Sequence, residues 1–199
     1  MTATDLIRRD ARALAHRESR LADGLPLLRI EVWGGGYGGL VRLILGQLVS
    51  IEAADAMWRN LNAALGEVTP DTIGRADAAT LRRCGFTDRK AGFARKIGAA
   101  LIDFAELDAL PDEEIVARLD ALPGVGRWTA ECYLLFCLGR RDVFPAGDLA
   151  LRIGWQEIAG FAETPTEAAL RTDAEQWAPH RTAAAYLIWG KYLRTRGRG

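Results

Sequence analysis

Cysteine is scarce: three in 199 residues, Cys84, Cys132 and Cys137. An odd, sparse set with no C-x-x-C pair argues against a disulfide framework and favours a reducing compartment. Histidine is scarcer still, with only His16 and His180, which argues against a zinc or iron-sulfur site. No apolar run approaches the roughly 18 residues a membrane span needs, and the longest, Leu40 to Ile51, contains Arg42 and Gln47. Met1 to Asp10 lacks the apolar stretch of a signal peptide. A soluble, cytoplasmic protein of bacterial type with no membrane partner is the expectation.

Net charge is also missing, with 26 basic residues against 26 acidic ones. A nucleic-acid binder need not be basic overall, but its basic groups must cluster. From Arg181 onward stand Arg181, Lys191, Arg194, Arg196 and Arg198 without one Asp or Glu, and Arg89, Lys90, Arg95 and Lys96 form a second group. The plain alternative is a solvated helix face followed by a frayed tail.

What is present is helix former and core. Hydrophobic residues make up 49% of the chain, enough for one or two compact lobes. Ala, Leu, Arg and Glu dominate and β-branched runs are short. The pattern predicts helices over Thr4 to Leu21, Leu40 to Leu65, Ala78 to Cys84, Arg89 to Phe104, Asp112 to Leu119, Trp128 to Leu138, Leu149 to Ile158, Thr166 to Gln176 and Arg181 to Leu193. Breakers separate them at Gly34 to Gly36, Thr69-Pro70, Leu110-Pro111, Leu122-Pro123-Gly124, Phe144-Pro145 and Ala178-Pro179. Asp71 and Asp112 stand where N-caps belong. There is no repeat, and no strand-rich stretch marks a β domain.

The strongest local signal is Leu122-Pro123-Gly124-Val125-Gly126-Arg127-Trp128-Thr129-Ala130 between two helical runs. Glycine permits positive φ and close backbone approach. Val125 can plug between the helices, and the amides of Gly124, Gly126 and the next first turn can converge on an anion such as a DNA phosphate. An ordinary tight turn is the alternative.

Asp148 follows Phe144-Pro145-Ala146-Gly147 and precedes the apolar run Leu149-Ala150-Leu151. It is a natural N-cap, and a carboxylate there is favoured in its charged form. Cleavage of an N-glycosidic bond develops positive charge on the sugar, which a fixed anion stabilises. In Leu40 to Ile51 the polar Gln47 and Ser50 are unexplained by a core helix. A kink there would turn Leu48 outward as a wedge beside DNA, although spacing alone favours core. Gly34, Gly36 and Gly39 match G-x-G-x-x-G, but no strand precedes them, so a dinucleotide site is dismissed. Of the tryptophans, Trp128 and Trp189 stand where an aromatic wall can stack on an extruded base, with core packing the alternative. Trp33, Trp58 and Trp155 are expected in the core, and Trp177 is left open.

Taken together, these segments resemble the helix-hairpin-helix, Gly/Pro-Asp superfamily of base-excision DNA glycosylases, nearest its 3-methyladenine DNA glycosylase II branch. The resemblance runs from about Tyr37 to Tyr192. It is carried by Leu40-Val41-Arg42, Gly46 to Ser50, Leu81-Arg82, Gly85-Phe86, Lys90-Ala91, the hairpin, Asp142 to Arg152, and Trp177-x-Pro-x-Arg181 with Trp189. It implies Asp148 as the catalytic carboxylate and Leu48 as the intercalating residue, reversing the spacing-based preference. It places Trp128, Trp189, Tyr37 and Cys132 at the base pocket. DNA contacts fall on Gln47, Leu48, Ser50, Gly124, Val125, Gly126, Arg127 and Thr129. It also implies that the backbone carbonyls of Asp120, Leu122 and Val125 hold Na+ or K+, with no other cofactor.

The departures matter. The branch often has aromatics where Cys132 and Leu149 stand. Nothing before Leu40 suits the extra N-terminal β domain of some relatives. Bifunctional relatives carry a lysine nucleophile two residues after the second hairpin glycine, where this chain has Trp128. No Schiff base then forms there. No cysteine follows Cys137, so no [4Fe–4S] cluster is expected.

The expected architecture is all-α and two-lobed, with the active cleft between lobes. Residues 1–77 and 159–199 would form one lobe and residues 78–158 the hairpin lobe. The expected activity is removal of alkylated purines of the 3-methyladenine or 7-methylguanine type from double-stranded DNA by base flipping, by a monomer without lyase activity. A non-catalytic hairpin module, and a glycosylase for deaminated or oxidised bases, are the alternatives.

Overall fold

Thr2 accepts the Asp5 amide on its hydroxyl, and Asp5 returns a bond to the Thr2 amide, closing a capping box. Two orphan N–H groups are satisfied at once, and the first helix, α1 (Ala3–Arg17), starts there. The computed structural model describes residues 1–27 and 29–197, and among these the secondary structure is entirely helical. A 3-10 segment (Ser19–Leu27) follows α1. Then come α2 (Gly36–Gly46), α3 (Ile51–Leu65), α4 (Pro70–Arg75), α5 (Ala78–Arg83), α6 (Asp88–Ala99), α7 (Phe104–Asp108), α8 (Asp112–Asp120) and α9 (Arg127–Cys132). A π turn (Tyr133–Cys137) precedes α10 (Leu149–Ala159), α11 (Glu167–Asp173) and α12 (Arg181–Thr195). Ser50, Thr69, Asp77, Thr87, Asp103, Asp148 and Thr166 each cap a helix with a side-chain oxygen.

Caps also explain where the sequence reading and the structure part. The run read as one helix from Leu40 to Leu65 is two, because Gln47 leaves the helical region (ψ 134°) and Ser50 caps a new start. The run from Arg89 to Phe104 ends at Ala99, and Asp103 caps a separate turn. Asp71 and Asp112 are not caps. Thr69 caps α4, with Pro70 pre-set for the first helical position, and Pro111 occupies the cap of α8. Both aspartates lie in a first turn, where they favour the helix dipole.

The chain forms two compact units, residues 1–32 with 134–199, and residues 33–133. These boundaries differ from those expected at 78 and 158. α2 packs on α6, and the Tyr37 hydroxyl donates to the Ala94 carbonyl (2.9 Å), so residues 33–77 join the helices that follow them. α10 packs on α12, which takes residues 149–158 into the unit of the chain ends.

In the first unit α12 is central. It packs on α1, α10 and the 3-10 segment. Backbone meets backbone there: a Cβ on Gly24 would lie 1.9 Å from the Leu187 carbonyl oxygen, and one on Gly190 would lie 2.3 Å from that of Gly24. Around this contact Ile7, Leu14, Leu21, Ile30, Trp155 and Trp177 are buried. Trp155 is core as expected. Trp33 and Trp58, in the other unit, are half-buried and flank the Arg42 guanidinium at 3.8 and 5.6 Å instead of filling the core.

Candidate active site

The loop that delivers Asp148 is held at its root in the first unit. Asp10, only 5% exposed, grips Arg141 through two bonds of 2.7 and 2.8 Å. Asp142 pairs with Arg181 at 2.8 and 2.9 Å. Burial pushes the Asp142 carboxyl up, but the Arg181 hydrogen bonds and charge outweigh burial and hold it below the ordinary value. Buried Thr182 accepts from the Val143 amide and donates to the Arg140 carbonyl. The chain then turns tightly, with Ala146 N–H on Phe144 O and Asp148 N–H on Pro145 O.

Asp148 ends this loop half-buried as the N-cap of α10. Its Oδ1 accepts the Leu151 amide at 2.9 Å and the Trp189 indole N–H at 3.1 Å. Two donors on one oxygen fix the rotation of the carboxylate. Trp189 is itself stacked on Phe136 (centroids 5.5 Å apart, 20° between planes) and edge-on to Tyr186 at 5.9 Å. The result is a charged group at a helix N-terminus, oriented by an aromatic side chain. Leu149, the next residue, is 59% exposed.

The second unit carries the hairpin. α8 and α9 are joined by Ala121 to Gly126, closed by Leu122 N–H on Leu119 O and Val125 N–H on Leu122 O. Val125 is 5% exposed, the plug its pattern predicted. Gly124 has φ +80°, and a Cβ there would sit 2.1 Å from the Phe93 ring. Gly124→Ala is therefore expected to cost about 2 kcal/mol of stability, combining left-handed strain with a clash. A denaturation midpoint equivalent to a change under about 0.5 kcal/mol, the usual surface range, would show that the turn relaxes freely.

Gln47 ties the α2–α3 loop to this hairpin. Its Nε2 donates to the Gly124 carbonyl and the Thr129 hydroxyl, both at 3.1 Å. Leu48 follows with φ +61°, a conformation rare for a branched residue, and is fully exposed. Val49 and Ile51 beside it are 37% and 55% exposed.

The family described as HhH-GPD superfamily base excision DNA repair protein matches this chain over residues 41–180. DNA-3-methyladenine glycosylase 1 of Schizosaccharomyces pombe is 34% identical over 161 residues, 77% of this chain and 71% of that protein. The chain belongs to the HhH-GPD superfamily. DNA-3-methyladenine glycosylase 2 of Escherichia coli is 29% identical over 183 residues, covering 85% of this chain and 62% of that one. A solved structure of the S. pombe 3-methyladenine DNA glycosylase in complex with abasic DNA superposes with a TM-score of 0.79 at 31% identity, covering 92% of this chain and 94% of that one.

Within this HhH-GPD protein the residues assigned from sequence do not all stand alike. Asp148 and Trp189 are in contact. Trp128 is half-buried in the first turn of α9. Gln47, Gly124 and Thr129 are bonded together, while Ser50 caps α3 through the Ala53 amide. Tyr37 and Cys132 do not line an open pocket. Tyr37 is buried with its hydroxyl on Ala94, and burial pushes its phenol up to about 12. Cys132 is 1% exposed inside α9. Thr129 is likewise buried, so it supports the turn from within. Arg127 is engaged by Glu131 and Glu113 at 3.0 and 3.1 Å, and pins α9 to α8 with its charge compensated.

The C-terminal basic cluster is compensated as well, whereas members of the second are engaged by backbone carbonyls and an aromatic ring. Arg181 pairs with Asp142, Lys191 and Arg194 share Asp23, and Arg196 pairs with Glu157. Arg198 lies outside the described residues. Lys90 and Arg95 donate to backbone carbonyls, Arg89 lies over Phe93 at 5.3 Å, and Lys96 is exposed. Phe136 is a contributor that sequence reasoning missed, and Lys90 was counted only in a basic group and as a marker of the resemblance, without its carbonyl partners. Phe136 sits in a π turn, whose spacing breaks the 3.6-residue period.

Leu122 O accepts one bond and keeps a second lone pair, and the Asp120 and Val125 carbonyls accept none among the described residues. Gly124 O is taken by Gln47. This donor set fits a hard monovalent cation. Among the described residues no group of His, Cys, Asp and Glu is arranged to hold a metal, and no helix is long and apolar enough to cross a membrane.

Proposed function

We propose that this protein is a monofunctional DNA glycosylase that hydrolyses the N-glycosidic bond of alkylated purines of the 3-methyladenine or 7-methylguanine type in double-stranded DNA. The observation that carries this reading is the Asp148 carboxylate, fixed at the N-terminus of α10 by the Leu151 amide and the Trp189 indole, in a chain of the HhH-GPD superfamily.

An alkylated purine at N3 or N7 carries positive charge. The bond from the sugar C1′ to the base nitrogen breaks with both electrons going to the base, which neutralises that charge. Little acid catalysis of departure is needed. Positive charge moves to the sugar, and Asp148 stabilises it electrostatically. A water molecule then adds to C1′ and loses its proton, giving the abasic site. The half-buried Trp189 beside Asp148 offers a π face to a cationic base. Exposed Leu48 fills the gap the flipped nucleotide leaves. Trp128 stands where lyases place an amine, so no covalent imine forms at that position. The hairpin amides hold phosphate, and the carbonyls of Asp120, Leu122 and Val125 would hold Na+ or K+, which supplies positive charge beside that phosphate.

The test is chromatographic identification of bases released from methylated duplex DNA. Free 3-methyladenine or 7-methylguanine is the expected product. No release at high enzyme concentration would leave a hairpin module for DNA binding only, and a borohydride-trapped adduct would make the protein a lyase.

Trp189→Phe isolates the indole N–H. It keeps a ring against Phe136 but removes the donor to Asp148. About a tenfold fall in single-turnover excision is expected, the size of one charge-assisted hydrogen bond, with lesion-DNA affinity nearly unchanged. An unaltered rate would show that Asp148 is positioned without Trp189.

A further inference from the structure

Lys90 lies on α6, well outside the proposed chemistry. Its ammonium nevertheless donates to the Leu45 carbonyl at 2.8 Å and to the Gln47 carbonyl at 2.7 Å. Leu45 belongs to the last turn of α2, whose final carbonyls have no helical partner. The Gln47 carbonyl is half of the peptide plane that carries the Leu48 N–H. Fixing that plane fixes the reference from which the Leu48 φ is measured. Leu48 occupies the position just past the helix C-cap, where glycine usually provides the left-handed turn. Here φ is +61° on a leucine, so something else must hold the conformation. The side chain of Gln47 is anchored to Gly124 and Thr129, which steadies the same residue from its other end. A cation at a helix C-terminus also opposes the negative end of the dipole. Burial lowers the Lys90 pKa from its ordinary value, so the group is held at some cost in solvation.

We infer that Lys90 is a positioning residue for Leu48: by clamping the Leu45 and Gln47 carbonyls it holds the leucine in its exposed, left-handed conformation, and so serves lesion recognition without touching DNA. The inference rests on the proposed role of Leu48 as the wedge. The rival account is that Lys90 only glues α6 to α2, in which case its loss lowers stability but leaves discrimination intact.

The experiment is a double-mutant cycle in the full chain. Wild type, K90M, L48A and K90M/L48A are titrated against a duplex containing a tetrahydrofuran abasic site and against the undamaged duplex at one salt concentration. Hydrogen exchange is followed over residues 44–52. K90M is expected to reduce the lesion-to-undamaged affinity ratio by about tenfold and to speed exchange at residues 47–50, with no further loss beyond L48A in the double variant. Loss in L48A without loss in K90M overturns the role of Lys90. So does a double variant whose loss is the product of the two. An unchanged ratio in L48A overturns the wedge reading itself. Should K90M not melt cooperatively, K90Q replaces it under the same criteria, since it keeps one donor of shorter reach.

Discussion

Asp148→Asn is expected to slow base release from methylated duplex DNA by about a thousandfold, roughly 4 kcal/mol of lost transition-state stabilisation. The substitution is unusually clean at this position. Asparagine is as good an N-cap as aspartate. Its side-chain oxygen can still accept the Leu151 amide and the Trp189 N–H that now reach Oδ1. The fold and the affinity for lesion DNA are therefore expected to persist, because both neutral contacts survive and only the negative charge is gone. The measurement is single-turnover release of labelled base, paired with equilibrium binding. A variant that keeps full activity would exclude Asp148 as the group that stabilises the sugar cation. A variant that loses binding and activity together would show that the charge acts in recognition instead. Leaving-group charge sharpens the test. A substrate that departs as a neutral base needs less help than one that departs as an anion, so the residual rate should be highest on the most labile alkylated purines.

What could be read from the sequence follows a physical division. The hairpin and Asp148 were legible because their determinants are local: a plug between two glycines, and an N-cap after a tight loop. Caps and prolines act within three residues, so most helices were found. Three kinds of feature were not legible. The break at Gln47, raised from its polar residues only as a kink, was not placed as a helix end because its partners, Gly124 and Lys90, lie far along the chain. The C-terminal basic cluster looked free because its acids are remote in sequence, as with Asp23 opposite Lys191 and Arg194. Trp33 and Trp58 were assigned to the core by type, yet both flank the Arg42 guanidinium, at 3.8 and 5.6 Å from their ring centroids. Tyr37 and Cys132 show the limit of carrying roles by alignment alone. Both side chains are buried, and the Tyr37 hydroxyl spends its one proton on the Ala94 carbonyl.

Leu48 offers the second large effect, and it separates function from stability in opposite directions. A leucine at φ +61° costs about 1–2 kcal/mol relative to the right-handed regions. Its side chain is fully exposed, so burial returns nothing in the free protein. Leu48→Gly removes that strain but adds roughly 0.5–1 kcal/mol of unfolded-state entropy, and the balance predicts a variant about 0.5 kcal/mol more stable than the parent. The same variant is expected to bind an abasic duplex about a hundredfold more weakly relative to undamaged DNA, since unstacking costs a few kcal/mol with no side chain to fill the gap. Leu48→Ala loses the wedge but keeps the strain, so it should match Leu48→Gly in binding without its gain in stability. Denaturant midpoints and competitive binding measure the two axes. Strained, exposed residues persist where the strain serves a site. If Leu48→Gly were destabilised while lesion selectivity stayed at the parent level, the left-handed leucine would be a helix terminator and nothing more. The opposite pattern, a gain in stability coupled to loss of selectivity, is the signature of a residue retained for what it does to DNA.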